Sequence, residues 1–338
     1  MYHGTPAAGH GPSVVSESLN RNCGFHYATG ELLHRHRSDW QLLEVLETPE
    51  FGRVLRVDGI TMTSEHDEFY YHENLVHVPA LAHRGPQNVL IIGGGDGGAL
   101  EEVLKHACVR HVSLVELDPA VIELSSRYLE SIHRGAFRDP RVTLHFADGR
   151  HWLTSCEHAF DLILLDLTDP VGPSQALYTA EFYELCRTRL AQGGVLALHV
   201  QSPVARPQTF ARIAATLRSV FAHVRPYLVY VPTYGTWFAM ATASTTVDPI
   251  ADSVAGIMSR FDERALGELR FYNPATHFAG FALPNFVLDL LRQDVAIVTD
   301  AGERLDGHPE FDCCCLAQRP PSAVTSTTAA EPRCPNAV

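Results

Sequence analysis

The stretch Ile91-Ile92-Gly93-Gly94-Gly95-Asp96-Gly97-Gly98 decides the fold. The apolar run 89–92 leading into it is typical of a buried strand, and the pattern of residues 98–106 predicts a helix after it. Glycines between such a strand and a helix let the backbone and a ligand approach each other closely. The stretch therefore predicts a nucleotide-binding turn in an α/β domain.

Two further carboxylates stand at the ends of the next predicted strands. Glu116 ends the strand 112–116, about 20 residues after Asp96, a spacing typical of a carboxylate that accepts hydrogen bonds from ribose hydroxyls. Asp148-Gly149 follows the strand 142–146, where an adenine would lie in such a fold. The turn, Glu116 and Asp148 together are a stronger signal than the glycines alone.

Asp96 inside the turn indicates which nucleotide is bound. The pyrophosphate of a dinucleotide would sit on the helix N-terminus, and a carboxylate there would repel it. Asp96 instead favours a ligand that carries an ammonium group, such as a derivative of S-adenosylmethionine.

A second acidic segment follows the fourth predicted strand, 162–165. It reads Asp166-Leu167-Thr168-Asp169-Pro170-Val171-Gly172-Pro173, and in an open α/β sheet ligands bind outside the carboxyl ends of the strands. Asp96, Asp166 and Asp169 would form a strongly anionic site, which is costly unless a cation occupies it. A divalent metal is one such cation, but the neighbouring apolar and aromatic residues favour an aliphatic polyamine, and we expect no metal.

The pattern along the chain predicts two domains. Short alternating segments at 41–47, 53–57 and 60–64, with the hairpin signal Asp58-Gly59, predict a β unit. From residue 67 strands alternate with helices, which predicts a parallel sheet covered on both faces. We expect a flexible extension over 1–22, a small N-terminal β domain over 23–66, a Rossmann-like catalytic domain over 67–300 and a disordered tail over 301–338.

Composition narrows the function classes. The 338 residues are 46% hydrophobic with a formal net charge of −13, which argues against a nucleic-acid binder and favours cationic partners. No apolar run is long enough for a membrane span, and residues 1–21 lack the apolar core of a signal peptide. The cysteines show neither a disulfide framework nor a metal-binding spacing, so we expect a reducing compartment, the cytoplasm.

A set of motifs spread along the chain is together typical of one enzyme family. The motifs that carry it are Asp67-Glu68-Phe69, Tyr71-His72-Glu73, the glycine turn, Val115-Glu116-Leu117-Asp118, the segment 166–173 with Leu177-Tyr178, Pro232-Thr233-Tyr234, Tyr272-Asn273-Pro274, His277 and Phe281-Ala282-Leu283-Pro284. With them the chain resembles the spermidine synthases, which are polyamine aminopropyltransferases. The likeness runs from about residue 27 to about residue 291.

The resemblance implies a Rossmann-like methyltransferase fold behind a small N-terminal β domain, usually as a dimer or tetramer. It implies transfer of the aminopropyl group of decarboxylated S-adenosylmethionine, a co-substrate, to putrescine, with no separate cofactor. The implied catalytic residues are Asp166 and Tyr71. The implied nucleoside-binding residues are Gln41, Glu116, Asp148, Gly149 and Pro173. The implied aminopropyl and amine-binding residues are His72, Asp96, Asp169, Gln201 and Tyr234.

Alternatives remain open at the level of sequence. Gly235-Thr236-Trp237 departs from the usual continuation after Tyr234, which leaves cadaverine, agmatine or spermidine as other acceptors. Trp237 itself is either a core residue or part of the distal end of the amine channel. A small-molecule methyltransferase and a non-catalytic polyamine-binding or nucleoside-binding protein are the rival functions.

Overall fold

The computed structural model describes residues 13–267 and 269–305. Its N-terminal part consists of two small antiparallel sheets. Strands β1 (Ser13–Asn20) and β2 (Cys23–Thr29) form a hairpin. Strands β3 (Leu32–Arg37), β4 (Leu42–Thr48), β5 (Gly52–Val57) and β6 (Ile60–Ser64) form a meander. Asp58 and Gly59, both with positive φ, make the predicted turn between β5 and β6.

The expectation of a flexible extension over residues 1–22 is wrong for residues 13–20, which form β1. The two side chains of this strand that point inward are Val15 and Glu17. The carboxylate of Glu17 accepts hydrogen bonds from the backbone N–H and the hydroxyl of Thr61. A charged residue on the buried face removes the hydrophobic alternation that would have predicted the strand. Residues 1–12 lie outside the described part.

The remainder of the chain builds the larger domain. Its helices are α1 (Glu68–Ala82), α2 (Gly98–Leu104), α3 (Pro119–Tyr128), α4 (Glu130–His133), α5 (Gly149–Ser155), α6 (Ala180–Arg189), α7 (Pro207–Val220), α8 (Val254–Glu263), α9 (Pro274–Ala279) and α10 (Asn285–Arg292). Its strands are β7 (Asn88–Gly93), β8 (His111–Glu116), β9 (Val142–Phe146), β10 (Phe160–Asp166), β11 (Leu190–His199), β12 (His223–Val231) and β13 (Thr236–Ser244). Single 3-10 turns occur at Ala136–Arg138, Gly172–Leu177 and Pro232–Tyr234.

The seven strands form one sheet in the order β12-β13-β11-β10-β7-β8-β9. The five strands from β11 to β9 are mutually parallel. β13 runs antiparallel to both β11 and β12, so the prediction of a wholly parallel sheet is wrong at this edge. The antiparallel pairing follows from the short connection at Pro232–Tyr234, since parallel neighbours need a long crossover.

Both faces of the large sheet are buried, as the uniformly apolar strands predict. On β7, Leu90 and Ile92 point toward the layer that contains α6 and α7. Ile91 points the other way, into the cluster that includes residues of α1 and α2. These three side chains are at most 2% exposed, and burial of each stabilises the fold by about 1.5–3 kcal/mol.

The meander packs against helices of the larger domain. Leu43 and Leu55 share a buried cluster with Val121 and Leu124 of α3. This contact brings the loop before β4 over the carboxyl end of β8, where a ligand cleft is expected.

The last described residues also pack against the sheet layers. Leu305 is buried, and the guanidinium of Arg212 on α7 donates to the carbonyls of Ala296, Glu303 and Arg304. The expected disordered tail over 301–338 is therefore wrong for residues 301–305, and the rest of it lies outside the described residues. Within residues 13–267 and 269–305, no helix combines the length and apolarity needed to cross a bilayer.

Candidate active site

One cavity of about 340 Å³ lies at the carboxyl ends of the parallel strands, beneath the N-terminal sheets. The twelve residues predicted from the sequence all line it: Gln41, Tyr71, His72, Asp96, Glu116, Asp148, Gly149, Asp166, Asp169, Pro173, Gln201 and Tyr234. The fold thus brings them together from both domains. Their individual roles stay predictions.

The register of β7 and β10 sets the centre of the cavity. Gly93 is the pairing partner of Asp166, and the N–H of Gly94 donates to the Asp166 carbonyl at 2.9 Å. Gly93 has a φ of +82°, and a Cβ on it would lie 2.1 Å from that carbonyl oxygen. Glycine is required here because the turn must cross the end of β10 with almost no clearance.

One end of the cavity is suited to a nucleoside. Asp118 receives hydrogen bonds from the Gln41 amide at 3.0 Å and from the Ser38 hydroxyl at 2.6 Å, which fixes Gln41 over the cleft. Asp148 is exposed and caps α5 by accepting the His151 N–H at 2.7 Å. Its side chain therefore has a structural role beside the predicted binding role.

Glu116 is buried beneath the glycine turn. Its Oε1 accepts the N–H of Asp118 at 3.0 Å, and a Cβ on Gly95 would lie 2.8 Å from its Oε2. Burial, which dominates over this hydrogen bond, raises the pKa of Glu116 to about 7. Donors from ribose hydroxyls would favour the ionised form of this carboxylate.

Three ionisable side chains meet where β7 and β10 end. His72 on α1 places Nε2 3.4 Å from Asp96 Oδ2 and 4.0 Å from Asp166 Oδ2. Its Nδ1 lies 2.8 Å from Glu68 Oε2, one helical turn earlier. Burial disfavours the charged ring, but Asp96 and Glu68 outweigh it and raise the pKa of His72 well above its usual value.

Asp166 differs from Asp96 although both side chains are largely enclosed, with 9% and 13% of their surface exposed. Burial and the charge of Asp96 raise the pKa of Asp166 to about 7, partly offset by His72. Asp96 is held ionised, because His72 and the N–H of Gly98 lower its pKa against the effect of burial. Oδ2 of Asp166 has no hydrogen-bond partner among the described residues. A carboxylate that titrates near neutrality and faces a cavity is suited to acid–base chemistry.

Tyr71 is 6% exposed and lies next to His72 on α1. Burial and the charge of Asp166 raise the pKa of its hydroxyl well above the usual value, so it stays a neutral donor. The ring also borders Tyr234, with centroids 6.3 Å apart.

Asp169 marks the other end of the cavity. Its carboxylate accepts a hydrogen bond from the Gln201 amide, which follows β11 in a left-handed conformation with a φ of +72°. The loop that carries Asp169 is held from behind. Nε2 of His199 lies 3.0 Å from the Leu167 carbonyl, and the Tyr178 hydroxyl donates to the Thr168 carbonyl at 3.0 Å.

The wall beyond Asp169 is aromatic. Tyr234 presents its ring to the cavity while its hydroxyl donates to the Met62 carbonyl on β6 at 2.7 Å. Trp237 is 50% exposed, packs edge-on against Tyr230 and does not line the cavity. Neither proposed place for Trp237, the core or the distal channel, is correct, because β13 turns this side chain outward.

A metal ion could be considered at His72, Asp96 and Asp166, whose nearest donor atoms lie within 4.8 Å of one another. A metal ion bound there would have to displace the proton that the neighbouring carboxylates favour on His72, since an imidazolium has no lone pair to offer. An organic ammonium group can instead hydrogen-bond to the aspartates directly. The expectation of no metal stays a prediction.

Sequence reasoning missed several residues around the site. Trp40 stands exposed at the mouth of the cavity, and His199 lines it from the end of β11. The motif containing Glu68 predicts no role for it, although its position four residues before His72 on one helix indicates that the two side chains are neighbours. His199 gave no signal, since a lone histidine at a strand end is uninformative.

Two family models match the sequence over the segments that build this site. Residues 68–251 match the family model described as the spermine/spermidine synthase domain, and residues 14–65 match the spermidine synthase tetramerisation domain. The chain belongs to the spermine/spermidine synthase family. The confirmed resemblance makes it an aminopropyltransferase of polyamine biosynthesis with a Rossmann-like domain behind an N-terminal β domain.

Relatives resemble the chain over most of its length. It is 48% identical to the polyamine aminopropyltransferase of Nitrosomonas europaea over 290 residues, covering 86% of this chain and 89% of that one. It is 38% identical to polyamine aminopropyltransferase 1 of Pseudomonas aeruginosa over 284 residues, covering 83% and 99%.

Solved structures show the same relationship. A spermidine synthase in complex with the transition state analogue AdoDATO superposes with a TM-score of 0.78 at 37% identity, covering 83% of this chain and 96% of that one. The spermidine synthase from Thermotoga maritima gives 0.75 at 36% identity, covering 83% and 95%.

Proposed function

We propose that the enzyme is a spermidine synthase, which transfers the aminopropyl group of decarboxylated S-adenosylmethionine to putrescine and releases methylthioadenosine. The observation that carries the proposal is one cavity with a polar end at Glu116 and three aspartates, Asp96, Asp166 and Asp169, along the remainder. Both proposed substrates carry two positive charges, and the aspartates supply counter-charges at separate points of that cavity.

The donor is assigned to the end of the cavity beside the glycine turn. Glu116 would accept the ribose hydroxyls, while Gln41, Asp148, Gly149 and Pro173 would surround the base. Asp96 would hold the ammonium of the aminopropyl group. Intact S-adenosylmethionine carries a carboxylate next to this ammonium, and Asp96 would repel it.

The acceptor amine would lie between Asp166 and Asp169. An alkyl ammonium has a pKa near ~10.4, so one proton must leave before the nitrogen can attack. Asp166, unpartnered at Oδ2, would take that proton with Tyr71 positioned beside it. The nitrogen then forms a bond to the methylene next to sulfur, the C–S bond breaks, and its electron pair neutralises the sulfonium.

Asp169 would bind the far ammonium of the acceptor. Its carboxylate is oriented by Gln201, and Tyr234 with Phe238 forms an aromatic wall next to it, their rings 5.2 Å apart. Such a wall favours the apolar methylene chain of a diamine. Positioning of two reactants in one cavity would supply much of the rate enhancement.

One product analysis tests the proposal. The enzyme is incubated with decarboxylated S-adenosylmethionine and an equimolar mixture of putrescine, cadaverine, agmatine and spermidine, and the products are identified by mass spectrometry. We expect spermidine from putrescine as the main product, with an equal amount of methylthioadenosine. Preference for another amine would correct the acceptor, and methyl transfer from intact S-adenosylmethionine would overturn the proposal.

We also propose that the enzyme assembles as a tetramer in the cytoplasm. The match of residues 14–65 to the tetramerisation domain supports the first point. Four cysteines of the described residues, Cys23, Cys108, Cys156 and Cys186, are free thiols, which supports a reducing compartment.

A further inference from the structure

We propose that His72 is a resident counter-ion of the empty site, and that arrival of the donor's ammonium group at Asp96 expels the imidazolium proton to solvent. Neutral His72 then accepts a hydrogen bond from that ammonium. Donor binding is thereby coupled to proton release. The inference rests on the proposed function, since it takes the aminopropyl ammonium as the group that Asp96 holds.

The first support is the position of His72 among the acids. Its Nε2 lies 3.4 Å from Asp96 Oδ2 and 4.0 Å from Asp166 Oδ2, in a ring that is 2% exposed. The titratable groups that face the ring are Glu68 and Tyr71 on its own helix, Asp96 in the glycine turn and Asp166 at the end of β10. Three carboxyl groups around one imidazole stabilise its charged form.

The second support is that an incoming ammonium competes for the same oxygen. An ammonium bound to Asp96 would place a second positive charge against the imidazolium. The aspartates stabilise both cations, and of the two an imidazolium is intrinsically the stronger acid, with a reference pKa of ~6.5 against ~10.4 for an alkyl ammonium. The histidine is therefore the group that becomes neutral.

The His72 ring is also held on two sides. A Cβ on Gly98 would lie 2.3 Å from ring atoms of His72, so only a glycine at the start of α2 leaves room for the ring to pack closely against the backbone. Nδ1 is fixed by Glu68 at 2.8 Å. The charge conflict is thus relieved by loss of a proton and not by rotation of the side chain.

Glu68 also determines which tautomer of neutral His72 forms. Glu68 requires Nδ1 to keep its hydrogen, so proton loss occurs at Nε2. The vacated Nε2 lone pair points at the position next to Asp96. Glu68 is accordingly a positioning residue that converts His72 from a donor toward Asp96 into an acceptor for the ammonium.

Calorimetric titration measures the proposed proton release. Donor binding is recorded at pH 7.5 in buffers of different ionisation enthalpy, with methylthioadenosine as the matched ligand that lacks the ammonium. We expect the donor to release about one proton more than methylthioadenosine. The comparison cancels any contribution from Glu116, which would contact the nucleoside of both ligands.

Two variants separate His72 from Asp166, which also titrates near neutrality. His72→Gln should lose the extra proton, whereas Asp166→Asn should still release it; binding of methylthioadenosine shows that each variant is folded. In a 15N-histidine spectrum, the signal absent from His72→Gln should change from imidazolium to the neutral Nδ1–H form when the donor is added.

The outcomes distinguish the two proposals. Equal proton release by the wild type and His72→Gln, or an imidazolium signal that persists in the complex, would overturn the inference and leave the proposed function intact. Failure to bind the decarboxylated donor while methylthioadenosine binds would overturn the proposed function, and the inference with it.

Discussion

Asp166 is placed where its carboxylate is poorly solvated, although the role proposed for it requires that carboxylate to ionise. Its carboxylate lies at the end of a buried strand, where solvation is poor, and its Oδ2 has no partner among the described residues. The fold therefore tolerates an unfavourable group at this point. Unfavourable groups of this kind are common where a protein retains function at a cost in stability.

The first prediction concerns turnover. Asp166→Asn removes the proposed proton acceptor while preserving the shape of the side chain, so we expect the rate of methylthioadenosine formation to fall by about 10²–10⁴-fold. Binding of methylthioadenosine, measured by calorimetry, should stay near the wild-type value because Asp166 does not contact the proposed nucleoside end. A near-normal rate in this variant would refute the acid–base role.

The second prediction concerns stability and its pH dependence. The pKa of Asp166 is raised to about 7 in the folded protein, so the folded state holds a proton that the unfolded state has lost. The stability linked to that proton is complete below about pH 4 and is lost as pH rises through about 7.

Asp166→Asn cannot ionise and should avoid this loss. We expect its melting temperature to exceed that of the wild type by several degrees at pH 8, the gap to narrow toward pH 5, and the two melting temperatures to converge only near pH 4. Asp169→Asn is the matched control, because the Asp169 carboxylate already accepts the Gln201 amide and its replacement should give no such gain. A pH-independent difference would contradict the assigned titration.

The third prediction concerns the acceptor. Asp169→Asn replaces a charged hydrogen bond to the far ammonium by a neutral one, which should raise the KM for putrescine about 10-fold to 100-fold. The turnover number at saturating amine should change much less, since Asp169 lies away from the reacting nitrogen. An unchanged KM would show that the far ammonium binds elsewhere.

At the scale of elements, two acids of the motifs quoted above, Asp67 and Glu73, anchor other segments to α1. Asp67 accepts the N–H and hydroxyl of Thr233, which ties the turn before β13 to the start of the helix. Glu73, 1% exposed, accepts the N–H groups of Arg270, Phe271 and Tyr272 at 2.7–2.8 Å. Both acids hold distant segments against the helix that carries Tyr71 and His72.

The fourth prediction follows from this anchor. Glu73→Ala leaves three backbone donors without their acceptor, at about 1–3 kcal/mol for each one that stays buried and unpaired. We expect a loss of about 3–5 kcal/mol in the free energy of unfolding by denaturant. Glu123→Ala on the exposed face of α3 is the control and should change stability by less than about 0.5 kcal/mol.

Some strands could be predicted from the sequence and others could not. The strands around the glycine turn were predictable to within a residue or two, since β7, β8 and β10 each carry a mainly apolar central run and are followed by turn residues. β1 was not predictable because Glu17 occupies an inward position, and the antiparallel placement of β13 depends on pairing that no local pattern reports.

In the candidate site too, some of the geometry was predictable from the sequence and some was not. Asp96, Glu116 and Asp166 stand at strand ends, and the topology of an α/β sheet brings strand ends together without further information. The proximity of His72 to Asp96 and Asp166 depends on how α1 packs across the sheet, which sequence spacing does not contain. The raised pKa of Asp166 likewise depends on burial that only the assembled fold provides.

At the scale of the whole molecule, the cavity exists only because two domains meet. Gln41 comes from the loop before β4, Tyr234 is tied by its hydroxyl to β6, and Phe25 of β2 packs where a Cβ on Gly235 would stand. The N-terminal sheets thus form the roof of the site and also match the tetramerisation domain.

The fifth prediction concerns assembly. Light scattering should give a mass about four times the 37.3 kDa of one chain, and the assembly should persist when the protein is diluted into the assay range. A fully active monomer would contradict the proposed assembly and would show that the N-terminal sheets can cover the site without it.

The pairing of Gly93 with Asp166 has a practical consequence for redesign of the enzyme. The turn proposed to bind the donor and the acid proposed to serve the acceptor lie on adjacent, hydrogen-bonded strands, so neither can be shifted without displacing the other. Attempts to create catalysts for longer or bulkier amines should therefore leave these strands untouched. Diversified libraries are better directed at Ser18 and Leu19 of β1, which line the cavity and lie outside that strand pairing.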